Sequence, residues 1–357
     1  MGIWDWLNLN RTYCRLPAVI NFIILKYTMK TIEFKENGDY DVLQVMDKPK
    51  PELLEGQLLV KVEFAAVNAV DNSVRLGLLR AKSDPIILGN EGSGVVVSGN
   101  AEFPAGTRVM ISCFRKDGQV RGIYYDGVWQ EYLALESDDL IAIGSDISLE
   151  EAAAFPVSFF SAKACLNKAD FQPGKSVLSL GVGGGVGNAG IQLSKALGAS
   201  LVISTAGSTQ KAEFARNLGI ENVIDLSMET ISEGVARITD GKGVDIVIDS
   251  IGGALTGEAI HSLGRNGILV AIGYSAGMTF NAKITDFVWK GLQMRGASLN
   301  GWFDRDAQKE EWKDLIPLFN AGKLRPLIAK VFDVEQVAQA QRYLIEQRPF
   351  GKVLIKF

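Results

Sequence analysis

The sequence predicts an α/β protein of two units: a mainly-β, barrel-like one, then a doubly wound parallel sheet. Three observations predict it. Up to about Leu149 the chain runs in short stretches rich in Val, Leu and Ile, broken by Gly, Pro, Asn and Asp. Beyond Ser148, continuous apolar strands alternate with stretches of helical periodicity. At the first strand-to-helix turn of that alternation, "SLGVGGGVGN" (179–188) carries five glycines in ten positions.

With 357 residues, 47% hydrophobic and 22% charged, the chain has material for about two domains. A net charge of −4 without any Lys/Arg cluster argues against nucleic acid as a partner. Cys14, Cys113 and Cys165 are far apart and form no CxxC pair, which suits a reducing, cytoplasmic setting better than a disulfide framework.

In chain order, residues 1–28 are expected to be an N-terminal extension. The apolar run in "RLPAVINFIILKY" (15–27) resembles the core of a signal peptide. It is too short to span a bilayer, and no membrane partner is expected. From Met29, "QLLVKVEFAAVNAV" (57–70), "GVVVSGN" (94–100), "TRVMIS" (107–112) and "EYLALE" (131–136) read as strands of a unit covering 29–150. Ser148 is a helix N-cap with Glu150 and Glu151 in the first turn. Strands and helices then alternate over 151–324 and close on a helix at about 306–321. The tail "PFGKVLIKF" (349–357) reads as a strand, with 325–357 returning to the first unit.

The glycine run has a physical reading. A strand at Val177–Leu180 and a helix at 188–197 require a sharp turn, bare backbone and close packing, and each favours glycine. A helix N-terminus there faces an anion with free N–H groups. The spacing is Gly181-x-x-Gly184-x-x-Gly187, not the usual GxGxxG. Gly184, Gly185, Val186 and Gly187 are therefore expected to cradle a dinucleotide pyrophosphate. Between Gly187 and Glu213 there is no carboxylate to bind ribose hydroxyls, whereas Ser208, Thr209 and Lys211 offer hydroxyls and a cation. NADPH is the expected cofactor. Ends of neighbouring strands add Thr205, Ser250, Ile251, Gly273, Tyr274 and Asn300.

These motifs, with "VNAVDNSVRLG" (67–77), "ILGNEGSGVV" (87–96), "GVWQEYLAL" (127–135), "EEAAAFPVSFFSA" (150–162) and "GKVLIKF", resemble the medium-chain dehydrogenase/reductase superfamily, specifically its zinc-free quinone oxidoreductase-like branch. The resemblance covers about 29–357. It implies a GroES-like catalytic domain, a Rossmann cofactor domain, a cleft active site, and a homodimer or homotetramer. The family's catalytic zinc ligands correspond to Asn68, Asn90 and Val157, and no metal is expected from that set. Asp71 and Glu91 match acids near that site. Ser161 aligns with a hydroxyl that meets the nicotinamide, and Leu226 replaces a tyrosine common in the branch.

The resemblance and the unsuited ligand set together lead to hydride transfer from NADPH to a quinone or α,β-unsaturated carbonyl. Asn68 and Asn90 are the expected amide donors. Tyr124 is a candidate proton source, with Tyr125 equally placed and Tyr132 read as packing. An enoyl or 2-alkenal reductase, or a non-catalytic NADPH-binding sensor or crystallin-like protein, stays open beside it. His261, Cys113 and Cys165 read as packing or solvated residues, and Trp302 and Phe303 are candidates for lining a substrate pocket.

Overall fold

The computed structural model describes residues 28–79, 86–115, 117–299 and 305–357. The extension up to residue 27, Asn300, Trp302 and Phe303 lie outside the described residues.

In the first unit, β1 (Thr28–Phe34) pairs antiparallel with β2 (Gln44–Pro49) and β4 (Ile86–Ile87). Between them in the chain, β3 (Leu58–Val67) alternates buried and half-buried side chains through Glu63, as a sheet with one wet face requires. From Phe64 onward both of its faces are covered, and the alternation stops. β5 (Gly92–Ser98), β6 (Arg108–Ile111), β7 (Tyr132–Leu135) and β8 (Leu140–Ala142) complete the N-terminal share of this barrel-like sheet. β7 pairs with the first half of β3. Ser148 caps the helix Leu149–Ala154 in a reciprocal box with Glu151, and that helix packs on β3, β5 and β6. Pro156 then opens the helix Pro156–Lys168 at a position that needs no amide hydrogen.

The second unit is a six-stranded parallel sheet. β9 (Ser176–Ser179), β10 (Leu201–Ala206), β11 (Val223–Asp225), β12 (Val244–Asp249), β13 (Leu263–Ala271) and β14 (Gln293–Gly296) lie in the order β11-β10-β9-β12-β13-β14. Strand order reverses between β9 and β12, so a crevice forms beyond the C-terminal ends of those two strands. The helix after β9 spans Gly185–Ala196, starting three residues earlier than the 188–197 expected. Gly184 is its N-cap, and Gly185 and Gly187 lie in its first turn.

Past the helix Arg305–Asn320, the chain crosses back. β15 (Ile328–Asp333) pairs parallel with β16 (Lys352–Lys356), and β16 pairs antiparallel with β3 from Phe64 to Val67. The segment just before β16 runs over the glycine turn. Among the described residues no helix is long and apolar enough to cross a membrane.

Candidate functional site

The glycine turn is built by exclusion of side chains. Gly181 has φ +80°, a backbone state open to glycine. At Gly187 a Cβ would fall 2.1 Å from the Gly181 carbonyl oxygen, so the helix can approach the strand only without one. At Gly184, the N-cap, a Cβ would touch only Gly181 O at 3.4 Å, leaving bare backbone toward open space. Gly185, Val186 and Gly187 form the first turn, whose N–H groups lack intrahelical carbonyls. This cradle fits a diphosphate.

Three other predicted positions, Thr205, Ser250 and Ile251, converge on it. Thr205 is buried and its Oγ1 accepts the Gly181 N–H at 3.0 Å, which braces the turn. Ser250 Oγ donates to Leu180 O at 3.1 Å, and Ile251 reaches to 2.8 Å from where a Gly181 Cβ would stand. Gly273 passes the Ser250 carbonyl so closely that a Cβ would sit 2.1 Å from it. Tyr274 follows, half exposed. Asp249 holds this corner together, accepting the Ile251 and Gly252 N–H groups at 2.9 Å each and the Thr256 hydroxyl at 2.6 Å.

Next to the cradle lies a buried polar cluster. Glu91 is fully buried at the head of β5, where Oε2 accepts the Val157 N–H at 2.6 Å and Oε1 accepts Asn68 Nδ2 at 3.0 Å. Lys352, the first residue of β16, places its ammonium 2.6 Å from Glu91 Oε1 and also donates to Asn68 Oδ1. Its stem runs beneath the helix that follows the glycine turn, since a Cβ on Gly185 would lie 3.1 Å from Lys352 Cδ and 2.5 Å from Ser158 Oγ. One lysine thus joins the cluster to the cradle. Neither Lys352 nor Ser158 was singled out from sequence. A charged residue inside the apolar run "GKVLIKF" is the signal that marks Lys352.

Of the two asparagines, Asn90 needs a correction. They were expected to present amide donors to the cleft. Asn90 instead is buried and gives its amide to the Arg121 carbonyl at 2.5 Å, leaving Oδ1 without a partner among the described residues. Its open group is an acceptor. Asn68 spends one N–H on Glu91 and its oxygen on Lys352, which leaves one amide N–H uncommitted. As a ligand set for zinc, these side chains do not fit: one amide oxygen is held by an ammonium and Val157 has no donor atom.

Asp71 completes the cluster. Its Oδ2 accepts the Asn68 N–H at 2.7 Å and Oδ1 the Gly89 N–H at 3.1 Å. Gly89, at φ +93° against Trp129, allows that approach. Burial pushes the Asp71 carboxyl up to about 7 despite these two donors. A carboxyl that keeps its proton longer in the folded state than in the unfolded one stabilises the fold fully at low pH. That contribution is expected to fade by roughly 1 kcal/mol per pH unit between about pH 4 and pH 7. Urea unfolding across that range tests it, and Asp71→Asn should flatten the slope; a slope unchanged in the variant would assign it to other groups.

At the far end of the cradle, Ser208 caps the helix Thr209–Asn217 by accepting the Lys211 N–H at 3.4 Å. The Thr209 hydroxyl is not free, as expected from sequence, but bonds Asp225 at 2.6 Å. Asp225 is held below the usual carboxylate range by the Ser227 and Thr209 hydroxyls. Lys211 Nζ donates to the Arg348 carbonyl at 2.7 Å, which brings Arg348 to the same corner. Phe350 lies over Gly183, edge-on to Phe214, and the Gly351 N–H bonds Gly183 O at 2.8 Å.

The other candidates lie on several elements. Tyr124 is half-buried against the main core in the loop after Arg121, whose carbonyl accepts the Asn90 amide, and Tyr125 donates its hydroxyl to Asp117 at 2.7 Å. Ser161 is buried on the helix Pro156–Lys168, one turn beyond Ser158. Cys113 and Cys165 are buried, and burial pushes both thiols up. His261 lies on the helix Ala254–His261, facing Asp286.

Residues 54–145 match the alcohol dehydrogenase GroES-like domain family and residues 185–321 the zinc-binding dehydrogenase family. The rat (Rattus norvegicus) synaptic vesicle membrane protein VAT-1 homolog is 30% identical over 342 residues, covering 89% of this chain and 81% of the relative. This chain belongs to the medium-chain dehydrogenase/reductase superfamily. Within it, an NAD-dependent alcohol dehydrogenase from Sulfolobus acidocaldarius is 28% identical over 92% of this chain and 99% of its own length. The solved Pseudomonas syringae quinone oxidoreductase superposes with a TM-score of 0.79 at 26% identity, over 92% of this chain and 100% of its own. A GroES-like domain and a Rossmann-type parallel sheet are the superfamily's two parts, and the superfamily binds a nicotinamide dinucleotide.

Proposed function

We propose that this protein transfers hydride from NADPH to a quinone or an α,β-unsaturated carbonyl without a catalytic metal, as a zinc-independent, quinone oxidoreductase-like enzyme. The observation that carries the reading is Lys352. At the place where the superfamily's metal-dependent members carry a divalent ion, this chain offers two amides, a valine and, beside them, an ammonium shared by Glu91 and Asn68. An acceptor already polarised by conjugation needs donors and positive charge rather than a Lewis acid.

When bound, the dinucleotide supplies the hydride. The chain's own residues do the rest. The first turn at Gly185–Gly187 holds the diphosphate, and the corner braced by Thr205 and Asp249 keeps that turn rigid. Lys352 fixes the Asn68 amide with its oxygen inward, so the uncommitted N–H is the donor left for charge developing on an acceptor oxygen. Asn90 Oδ1 offers an acceptor for a donor group of either bound molecule. Protein packing around Glu91 keeps water out, which strengthens each of these interactions.

For the choice of nicotinamide, Lys211, Ser208 and the nearby Arg348 support a 2′-phosphate, while Asp225 is occupied by Thr209 and Ser227. Lys211→Ala is expected to raise the NADPH KM about tenfold and the NADH KM less than twofold. Equal rises would remove Lys211 from phosphate recognition. Steady-state oxidation of NADPH and NADH against 1,4-benzoquinones, 2-alkenals and simple ketones, with and without chelator, tests the whole reading. Turnover of simple ketones that chelator abolishes would overturn it. A homodimer in the cytoplasm is part of the same proposal. What supports the dimer is the edge strand β14, preceded by a helix on which Ile284, Val288 and Trp289 are all about 70% exposed.

A further inference from the structure

At the end of the parallel sheet opposite the glycine turn, a cavity of about 320 Å³ opens between the helix Ile231–Thr239 and the start of β13. Its lining includes Lys242, Arg265, Lys290 and His261, and no carboxylate. Two of these side chains have structural work. Lys290 Nζ donates to the carbonyls of His261 at 2.7 Å and Leu263 at 3.1 Å, and His261 Nδ1 faces Asp286 at 3.1 Å. Together they tie the helix Ile284–Lys290 to the sheet.

Lys242 and Arg265 have no such work. Both are exposed, and among the described residues neither side chain has a hydrogen bond or an ion pair. On a chain of net charge −4, two cations without a protein partner among the described residues line one concavity and give it a local positive field. The walls are set by backbone: a Cβ on Gly243, at φ +75°, would strike Gly264 N at 2.6 Å, and the Val244 N–H bonds Ser262 O at 3.2 Å, so the two loops carrying Lys242 and Arg265 are packed backbone to backbone. An arginine fork beside a lysine point charge matches the oxygens of a phosphate group. The volume is that of a small-ligand pocket, enough for a phosphate and a short organic body.

We propose that this cavity binds the phosphate group of a small phosphorylated metabolite, with Lys242 and Arg265 as its charge partners. The site is separate from the cofactor cradle and does not depend on which nicotinamide or acceptor the enzyme uses.

Amide-resolved NMR of the full chain, titrated with inorganic phosphate and then with glycerol phosphate, tests it. Saturable shifts are expected at residues 241–243 and 262–265. In the Lys242→Ala/Arg265→Ala double variant the apparent Kd at those amides should rise at least about tenfold. Tighter binding of glycerol phosphate than of inorganic phosphate would support an organic body in the cavity. Amides at 181–187 report the cradle in the same spectra, so failure at one place is distinguishable from failure at the other. An absence of saturable shifts at 241–243 and 262–265, or equal affinity in the double variant, would overturn the proposal.

Discussion

Lys352→Met is expected to cost about 3 kcal/mol of stability and to lower kcat by two orders of magnitude or more. The stability loss follows from burial. Glu91 is fully buried and Lys352 is 6% exposed, so removing the ammonium leaves a carboxylate with two hydrogen bonds and no counter-charge. The activity loss has a different cause, because Asn68 loses the contact that orients its amide. A second variant separates the two. Glu91→Gln/Lys352→Met removes both charges and should recover most of the urea midpoint, since an uncharged pair of similar volume is tolerated where a lone charge is not. Its kcat should stay low. If the double variant turned over like the parent, the ammonium would be needed for stability alone, and the metal-free reading would lose its main support.

Gly187→Ala is the second large effect. Its Cβ would fall 2.1 Å from Gly181 O and 2.4 Å from Leu180 O, both backbone atoms that cannot rotate aside. The helix must retreat from β9, which moves the first-turn N–H groups away from the diphosphate. Dinucleotide affinity, read by fluorescence titration, should fall at least about a hundredfold, because charge-assisted bonds are lost together. Gly184→Ala is the contrast: its Cβ meets only Gly181 O, at an ordinary 3.4 Å, and points toward the ligand space. It should weaken binding while leaving the thermal midpoint near that of the parent. Were Gly187→Ala to bind the dinucleotide normally, the cradle would lie elsewhere.

Much of this site is local and was therefore legible in the sequence. The glycines at 181–187 and the caps at Ser148 and Ser208 act over a few residues, and alternation of strand and helix gives the parallel sheet directly. The start of the helix at Gly185 was harder to see, because glycine reads as turn whether or not it also begins a helix. Contacts between distant segments left no such trace. Lys352 and Glu91 are 261 residues apart, Lys211 and Arg348 are 137 apart, and nothing in either neighbourhood names its partner. The roles of Asn68 and Asn90 shifted for the same reason. Their positions came from motif order, but the direction each amide faces is set by Lys352 and by the Arg121 carbonyl. Thr209 looked free only because Asp225 lies on the next strand.

Where β16 lies also governs when the enzyme can first exist. During synthesis both the barrel and the parallel sheet are translated before residues 348–352 emerge to close over Gly183 and to neutralise Glu91. A nascent chain halted short of that point would carry the nucleotide fold yet hold an uncompensated charge in its interior. Neutralising Glu91 and covering Gly183 are then the last acts of synthesis, left to the final ten residues.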